Sequence, residues 1–278
     1  MAATDHGTAV QLGPQDVLAG LALSEEANWN QTEDDWRFFL RHGTVLGIRD
    51  AESRVVATAA LLPYSAGVAW ISMVLVTASW RRRGLATGLL NDCLTLAEAK
   101  GLTPRLDATP AGARVYGPMG FTPTLAVRRL ALKGHPGAPS SATPEFGSDA
   151  AFGELLARDR RAMGFDRGAL LGELYARPGS RLIDRDGALA LVRNGRKARH
   201  IGPLFADHPQ QALALIEAIV RSETGPHLID AVDRPDGFID GLTAAGWSLE
   251  RPFQRMRFGI ASGLAPLPPM AGAGPEYG

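Results

Sequence analysis

The sequence predicts an α/β fold, an α+β mixed sheet in which one strand-and-helix order is used twice. Three observations lead there. Short apolar runs alternate with amphipathic stretches, the order that builds α/β domains. The same order recurs after a Pro-, Gly- and Ser-rich break, KGHPGAPSSATPEFGS at 133–148, which points to an internal duplication. The composition, 45% hydrophobic and 21% charged over 278 residues, is that of a folded chain with room for two domains. We therefore divide it into 9–132, a linker at 133–148, 149–261, and a Pro/Gly/Ala-rich tail at 262–278 expected to be disordered.

In the first segment Thr32 is placed to cap a helix running to about Leu40, with Asp35 at the third position of a capping box. Residues 54–62 (RVVATAALL) and 69–76 (AWISMVLV) read as strands. A helix over 84–100 follows, with Leu85, Leu89, Leu90, Cys93 and Leu94 on its apolar face and Gly101 where a C′ glycine belongs. A strand near 105–108, a short helix near 111–119 and a strand over 122–132 complete the unit. In the second segment strands are expected at 181–184, 188–193 and 197–205. Asp186-Gly187 and Asn194-Gly195 supply the hairpin turns between them. A helix over 209–223, a strand at 228–232, a short helix ending near Gly246 and a strand over 249–258 repeat the order.

Basic and acidic residues each count 29, leaving no net charge. That argues against nucleic-acid or membrane-surface binding, which draws on excess basic charge. Cys93 is the single cysteine, so no internal disulfide can form, and its place on an apolar helix face makes it a core residue. The opening MAATDHGTAV lacks the basic and apolar regions of a secretory leader. No apolar run nears the ~18 residues of a bilayer span. A cytoplasmic setting is expected. No metal-ligand or Ser–His–Asp spacing stands out, and no metal is expected.

Chemistry concentrates in Val74–Gly88, VLVTASWRRRGLATG. A buried strand runs into a tight turn and then the first turn of a helix, whose leading N–H groups lack intrahelical partners and carry the positive end of the helix dipole. Gly84 and Ala86 leave room against the backbone, and Arg81, Arg82 and Arg83 add charge. This is a site for a diphosphate. The nucleotide fingerprints G-x-x-x-x-G-K-[ST] and G-x-G-x-x-G are absent, so another diphosphate is implied. A solvated arginine cluster at a helix start is the plainer alternative.

Arg81-x-x-Gly84-x-Ala86 after an apolar strand resembles the acetyl-CoA signature R/Q-x-x-G-x-G/A of the GNAT acetyltransferases. Tyr116-Gly-Pro-Met-Gly120-Phe121 resembles that family's Y-x-x-x-G-F segment. The resemblance covers 9–132 and implies acetyl-CoA as co-substrate. It places the pyrophosphate on the N–H groups of Arg82, Arg83, Gly84, Leu85, Ala86 and Thr87. Strand residues Met73 to Val76 would pair with the pantetheine arm, an amide near Val74 polarising the thioester carbonyl. Tyr116 matches the family's general acid, which protonates the departing thiolate; simple packing at a turn is its alternative.

For the acceptor, the family uses its first helices and the loop between them. Here that is the run from Glu25 to Trp36, and its W-N-Q-T-x-x-D-W core is similar to a bacterial GNAT subgroup with an appended GNAT-like domain. Asn28, Trp29, Asp35 and Trp36 are candidate substrate contacts, with capping an equal alternative for Asp35 and core packing the alternative for the tryptophans. Asp107, at a strand end, is a further candidate base or ligand.

Laying Ile201–Ile216 over Ile71–Ala86 sets Gln211 on Arg81, but Ala214 on Gly84 and Ile216 on Ala86, which obstructs close approach by a phosphate. Leu242-x-x-x-Gly246-Trp247 likewise puts leucine where Tyr116 stands. The second domain is expected to lack the acetyl-CoA signature and catalysis. Arg193, Arg196 and His200 are read either as lining a pocket or, more ordinarily, as hairpin-surface charges. The expected function is acetyl transfer by direct attack to the amine of a small metabolite. A protein lysine or N-terminal acceptor and a non-catalytic acyl-CoA sensor are the alternatives. The sequence leaves the oligomeric state open, monomer or homodimer.

Overall fold

A computed structural model describes residues 8–134, 147–260 and 268–278. The chain divides into two compact units, 1–106 and 107–278.

The first unit contains β1 (Val10–Gln11), α1 (Val17–Glu26), α2 (Glu33–His42), β2 (Thr44–Arg49), β3 (Val55–Tyr64), β4 (Val68–Val76), α3 (Leu85–Ala99) and the start of β5 (Thr103–Ala108). Its strands run in the order β1-β2-β3-β4-β5. They are antiparallel up to β4; β4 and β5 are parallel. Strands β3 and β4 are buried almost throughout, which is why they read as continuous apolar runs. Helix α1 ends in a Schellman motif: Asn28 N–H donates to Glu25 O and Trp29 N–H to Ser24 O, at 2.9 Å each. Asn28 holds φ +58°, a left-handed conformation that asparagine tolerates better than most residues. The Leu85, Leu89, Leu90, Cys93 and Ala97 stripe of α3 is fully buried, and burial pushes the Cys93 thiol up to about 12.

The second unit continues with α4 (Pro110–Tyr116), β6 (Phe121–Leu132), α5 (Asp149–Met163), α6 (Gly168–Ala176), β7 (Arg181–Arg185), β8 (Ala188–Arg193), β9 (Arg199–Phe205), α7 (Pro209–Ser222), β10 (His227–Val232), α8 (Phe238–Ala244) and β11 (Ser248–Phe258). Its strand order is β11-β6-β10-β9-β8-β7. β6, the last strand of the first repeat, is antiparallel to both β10 and β11. It stands beside β10, where the order within the second repeat would put β11. The linker reading at 133–148 lies mostly outside the described residues. Its last residue, Ser148, is the N-cap of α5 and accepts from Ala151 N–H at 3.3 Å.

Disorder over 262–278 is overturned for 268–278. Met270, Ala271, Ala273 and Tyr277 are fully buried, and Ala271 bridges to both Leu204 and Ala231. Small residues without a hydrophobic period look like linker, yet here backbone hydrogen bonds fix them. No helix among the described residues is long and apolar enough to cross a membrane.

Candidate active site

The diphosphate-cradle reading rests on how β4 hands over to α3. Near its end β4 carries a bulge: its register against β3 shifts between Ser72 and Leu75. Met73, at its apex, holds φ +50°, a strained value for a residue with a side chain. The Thr58 hydroxyl donates to Met73 O at 2.8 Å and fixes the bulge from the neighbouring strand. Such a kink turns Val74 out of the ladder geometry of its neighbours.

After β4 the chain makes a short 3-10 turn at Ala78–Trp80 and then an exposed loop, Arg81–Gly84. Arg82 (φ +62°) and Gly84 (φ +80°) are both left-handed. Gly84 is the N-cap of α3, and no side chain caps it. The leading amides of α3, on Leu85, Ala86 and Thr87, therefore face outward without helical partners, beneath three arginines. The Arg81 guanidinium donates to Val76 O and that of Arg83 to Ser79 O, each at 3.0 Å. Arg83 also lies 4.7 Å over the Trp80 ring. The charged heads of Arg81 and Arg83 are thus fixed against the turn that precedes the helix. Met73, Val74, Val76 and Arg81–Thr87 follow one another along a strand end and a helix start, with Met73 and Leu85 buried and Arg81–Gly84 exposed.

Glu26 is a rim residue not singled out in the sequence. It accepts from the Thr77 hydroxyl at 2.6 Å and from Ala78 N–H. The Thr77 hydroxyl, then the Ala78 amide, hold its carboxyl below the usual glutamate range. It ties the end of α1 to the turn that precedes the cradle. Beside it opens a cleft of about 530 Å³ lined by Glu26, Arg49, Arg54, Thr77, Ser79 and Trp80. Glu26 and Thr77 are 51 residues apart, so only their chemistry as acceptor and donor, and not their spacing, hinted at the pair.

Several substrate candidates have other duties. Trp36 is wholly buried, and its indole N–H donates to Ser24 Oγ at 3.0 Å; it cannot touch a ligand and is core. Asp35 is 1% exposed and closes a complete capping box, accepting from Thr32 N–H at 2.7 Å while its own N–H donates to the Thr32 hydroxyl. Its substrate role gives way to capping. Asp107 is engaged by Arg255: both carboxylate oxygens accept from the guanidinium at 2.8 Å, and its side chain is 1% exposed. A carboxylate clamped this way has no oxygen presented to solvent, so the base reading is set aside. Asn28 is exposed and Trp29 half-buried at the end of α1, and both stay open to solvent.

Tyr116 closes α4 in the second unit, half-buried against Phe121 with ring centroids 6.1 Å apart. Burial raises its phenol above the ordinary value, so it keeps its proton at neutral pH. Phe121 in turn packs edge-on to Phe258 at 5.4 Å.

The repeat's counterpart of the cradle is closed. Pro209 occupies the first turn of α7, and Gln211 caps it, accepting from His208 N–H at 3.1 Å. Ile216 and Leu242 are core residues. Arg193 and His200 are not surface charges. Both are buried, because His200 Nε2 lies 2.8 Å from Asp230, itself held by Arg129, and Arg193 meets Glu276 at 3.1 Å. Arg196 is exposed.

Residues 18–121 match the acetyltransferase (GNAT) family and residues 155–263 an acetyltransferase (GNAT) domain. No curated protein matches the chain. Among solved structures, it is similar to a Pyrococcus horikoshii protein assigned as an acetyltransferase, at 21% identity and TM-score 0.77, covering 97% of this chain and 95% of that one. A GCN5-related N-acetyltransferase from Sphaerobacter thermophilus follows at 16% identity and TM-score 0.66, covering 94% and 98%. A tandem GNAT protein from the clavulanic acid biosynthesis pathway aligns at 17% identity and TM-score 0.66, covering 92% and 99%. With a family match on each repeat and whole-chain likeness to a tandem protein, the chain belongs to the GNAT acetyltransferase superfamily as a protein of two tandem GNAT domains.

Proposed function

We propose that this protein is an acetyl-CoA-dependent N-acetyltransferase that acetylates the amine of a small metabolite by direct attack. One observation carries the reading: left-handed Gly84 opens an uncapped helix under three arginines, just beyond a strand bulge held by Thr58. The tandem clavulanic-acid protein, whose structure is described as without AcCoA, supports the same co-substrate here.

In this reading the amides of Gly84 to Thr87 hold the pyrophosphate, and the arginines strengthen that hold. The Val74 N–H, turned out at the bulge, donates to the thioester oxygen and stabilises the negative charge that develops there. The neutral amine attacks the carbonyl carbon, the carbon–sulfur bond breaks, and the amine's surplus proton leaves through water. Tyr116 gives its proton to the departing thiolate, and a phenol kept protonated by burial suits that task. Asn28 and Trp29 remain as acceptor contacts.

The test is calorimetric titration with acetyl-CoA, followed by thiol release across a panel of small amines, lysine peptides and N-terminal peptides. Binding with thiol release on one small amine is expected. Turnover on peptides alone would replace the acceptor class. Binding without turnover on any acceptor would make the protein an acyl-CoA sensor. Absence of binding would remove the cradle.

A further inference from the structure

In the first repeat, β4 and β5 pair in parallel only over Val68–Trp70 and Thr103–Arg105. In the second, β9 and β10 pair only over Arg199–Ile201 and His227–Ile229. The sequence overlay lays β9 on β4, with Leu204 on Val74. The bulges also fall within one residue of each other in that overlay, since the β9 register jumps between Ile201 and Leu204 and the β4 register between Ser72 and Leu75. Beyond the jump, the opening between β9 and β10 is filled by the chain itself.

Met270 N–H donates to Leu204 O at 2.9 Å, and Leu204 N–H to Ala271 O at 3.0 Å. On the opposite wall Val232 N–H donates to Met270 O at 2.9 Å and Gly272 N–H to Asp230 O at 3.0 Å. The amide that overlays Val74 is thus taken by a peptide carbonyl. The bound segment is tightly enclosed at two small residues, since Ala271 and Ala273 are wholly buried, and the wall needs glycine between them: a Cβ on Gly202 would stand 2.1 Å from Gly272 O. Farther along, buried Arg193 donates to Ala273 O at 2.7 Å, pairs with Glu276, and lies 5.7 Å over the Tyr277 ring. Buried Arg167, fixed by both oxygens of Asp159, donates to the carbonyls of Tyr277 and Gly278. Backbone pairing on both walls, a size limit at one residue and a charged anchor at the next are the components of peptide recognition by strand addition.

We propose that the slot between β9 and β10 is a peptide-binding site. It takes an extended run of small residues followed by a carboxylate and an aromatic side chain, and residues 268–278 (PPMAGAGPEYG) are its resident ligand. The second domain has exchanged the cofactor slot of its fold for a peptide slot, and its own chain occupies that slot. This inference stands independently of catalysis in the first repeat.

The test uses the whole chain with a protease site placed between Ile260 and Pro268. After cleavage, the severed C-terminal fragment carrying 268–278 should stay bound through gel filtration. A fluorescent copy should exchange in saturably, while a copy carrying Glu276→Gln should bind at least tenfold more weakly. Loss of the peptide without rebinding to a protein whose near-UV circular dichroism is native would overturn the proposal, as would equal binding of a scrambled undecamer. If cleavage unfolds the unit, hydrogen exchange on the uncut chain decides. Glu276→Gln should speed exchange of the Leu204 and Val232 amides at least tenfold and leave those of β7 and β8 unchanged. Unaltered protection would overturn the proposal.

Discussion

Replacing Gly84 by alanine and by aspartate separates two demands that meet at one residue. Its φ of +80° is left-handed, where a side chain costs about 1–2 kcal/mol. For a unit of roughly a hundred residues, 1 kcal/mol moves the melting temperature by about 4–8 °C. Both variants should therefore melt lower by about 4–16 °C, aspartate slightly less because it tolerates the conformation better. Only aspartate sets a negative charge against the ligand. At about 5 Å in an exposed site with an effective dielectric constant of about 40–80, each unit charge costs about 1–2 kcal/mol. Against a diphosphate this gives about 2–3 kcal/mol, or about 30- to 150-fold weaker acetyl-CoA binding. Thermal melts and calorimetry at low and high salt read both numbers, and salt should narrow the affinity gap. If Gly84→Asp binds within threefold of Gly84→Ala at low salt, no anion sits at this helix start and the cradle is wrong.

Other outcomes follow from the same structure. Tyr116→Phe should leave acetyl-CoA affinity unchanged and lower kcat about a hundredfold; unchanged kcat would remove Tyr116 from the chemistry. In Gly20→Ala the new Cβ would lie 2.4 Å from a Trp36 ring atom. Overpacking there should cost about 1–3 kcal/mol in urea unfolding, and a neutral result would mean the α1–α2 contact is looser than described. His200, facing Asp230, Arg129 and Arg193, is lowered to about 4 by burial and then by the charge of Arg193. His227 is lowered to about 4 by burial and then by Arg199. Unfolded histidine titrates near 6.5, so between about 6.5 and 4 the unfolded chain binds more protons and stability falls as pH falls. The urea midpoint followed by far-UV circular dichroism should drop between pH 7.5 and 5, and a flat profile would contradict the buried placement of both rings.

What the sequence revealed depended on distance along the chain. The capping box of Thr32 and Asp35 spans three residues, so capping could be weighed at once against a substrate role. The cradle, too, is one uninterrupted stretch, and its strand, turn and helix start lay where their patterns put them. Trp36 was ambiguous because its burial depends on Gly20 making space on another helix. The Asp107–Arg255 pair spans 148 residues, and no local pattern reveals that each already has its partner. The final segment misled for a different reason. Alanine, glycine and proline are usual in linkers, yet the same small residues are what a narrow slot requires. Helices α1, α5 and α6 and strands β1 and β2 went unassigned, their boundaries being set by packing more than by turn residues.

The position of β6 also bears on how the chain is made. Its hydrogen-bond partners on β10 and β11 are synthesised about a hundred residues after it, which at about 5–20 residues per second leaves roughly 5–20 s of translation. Through that interval a twelve-residue strand leaves the ribosome with both edges open, an invitation to pair with a neighbouring nascent chain. Chaperone demand should therefore peak midway through synthesis. A gene that lost its degenerate second half would leave that strand exposed permanently, which gives selection a reason to keep a domain that has lost the acetyl-CoA signature.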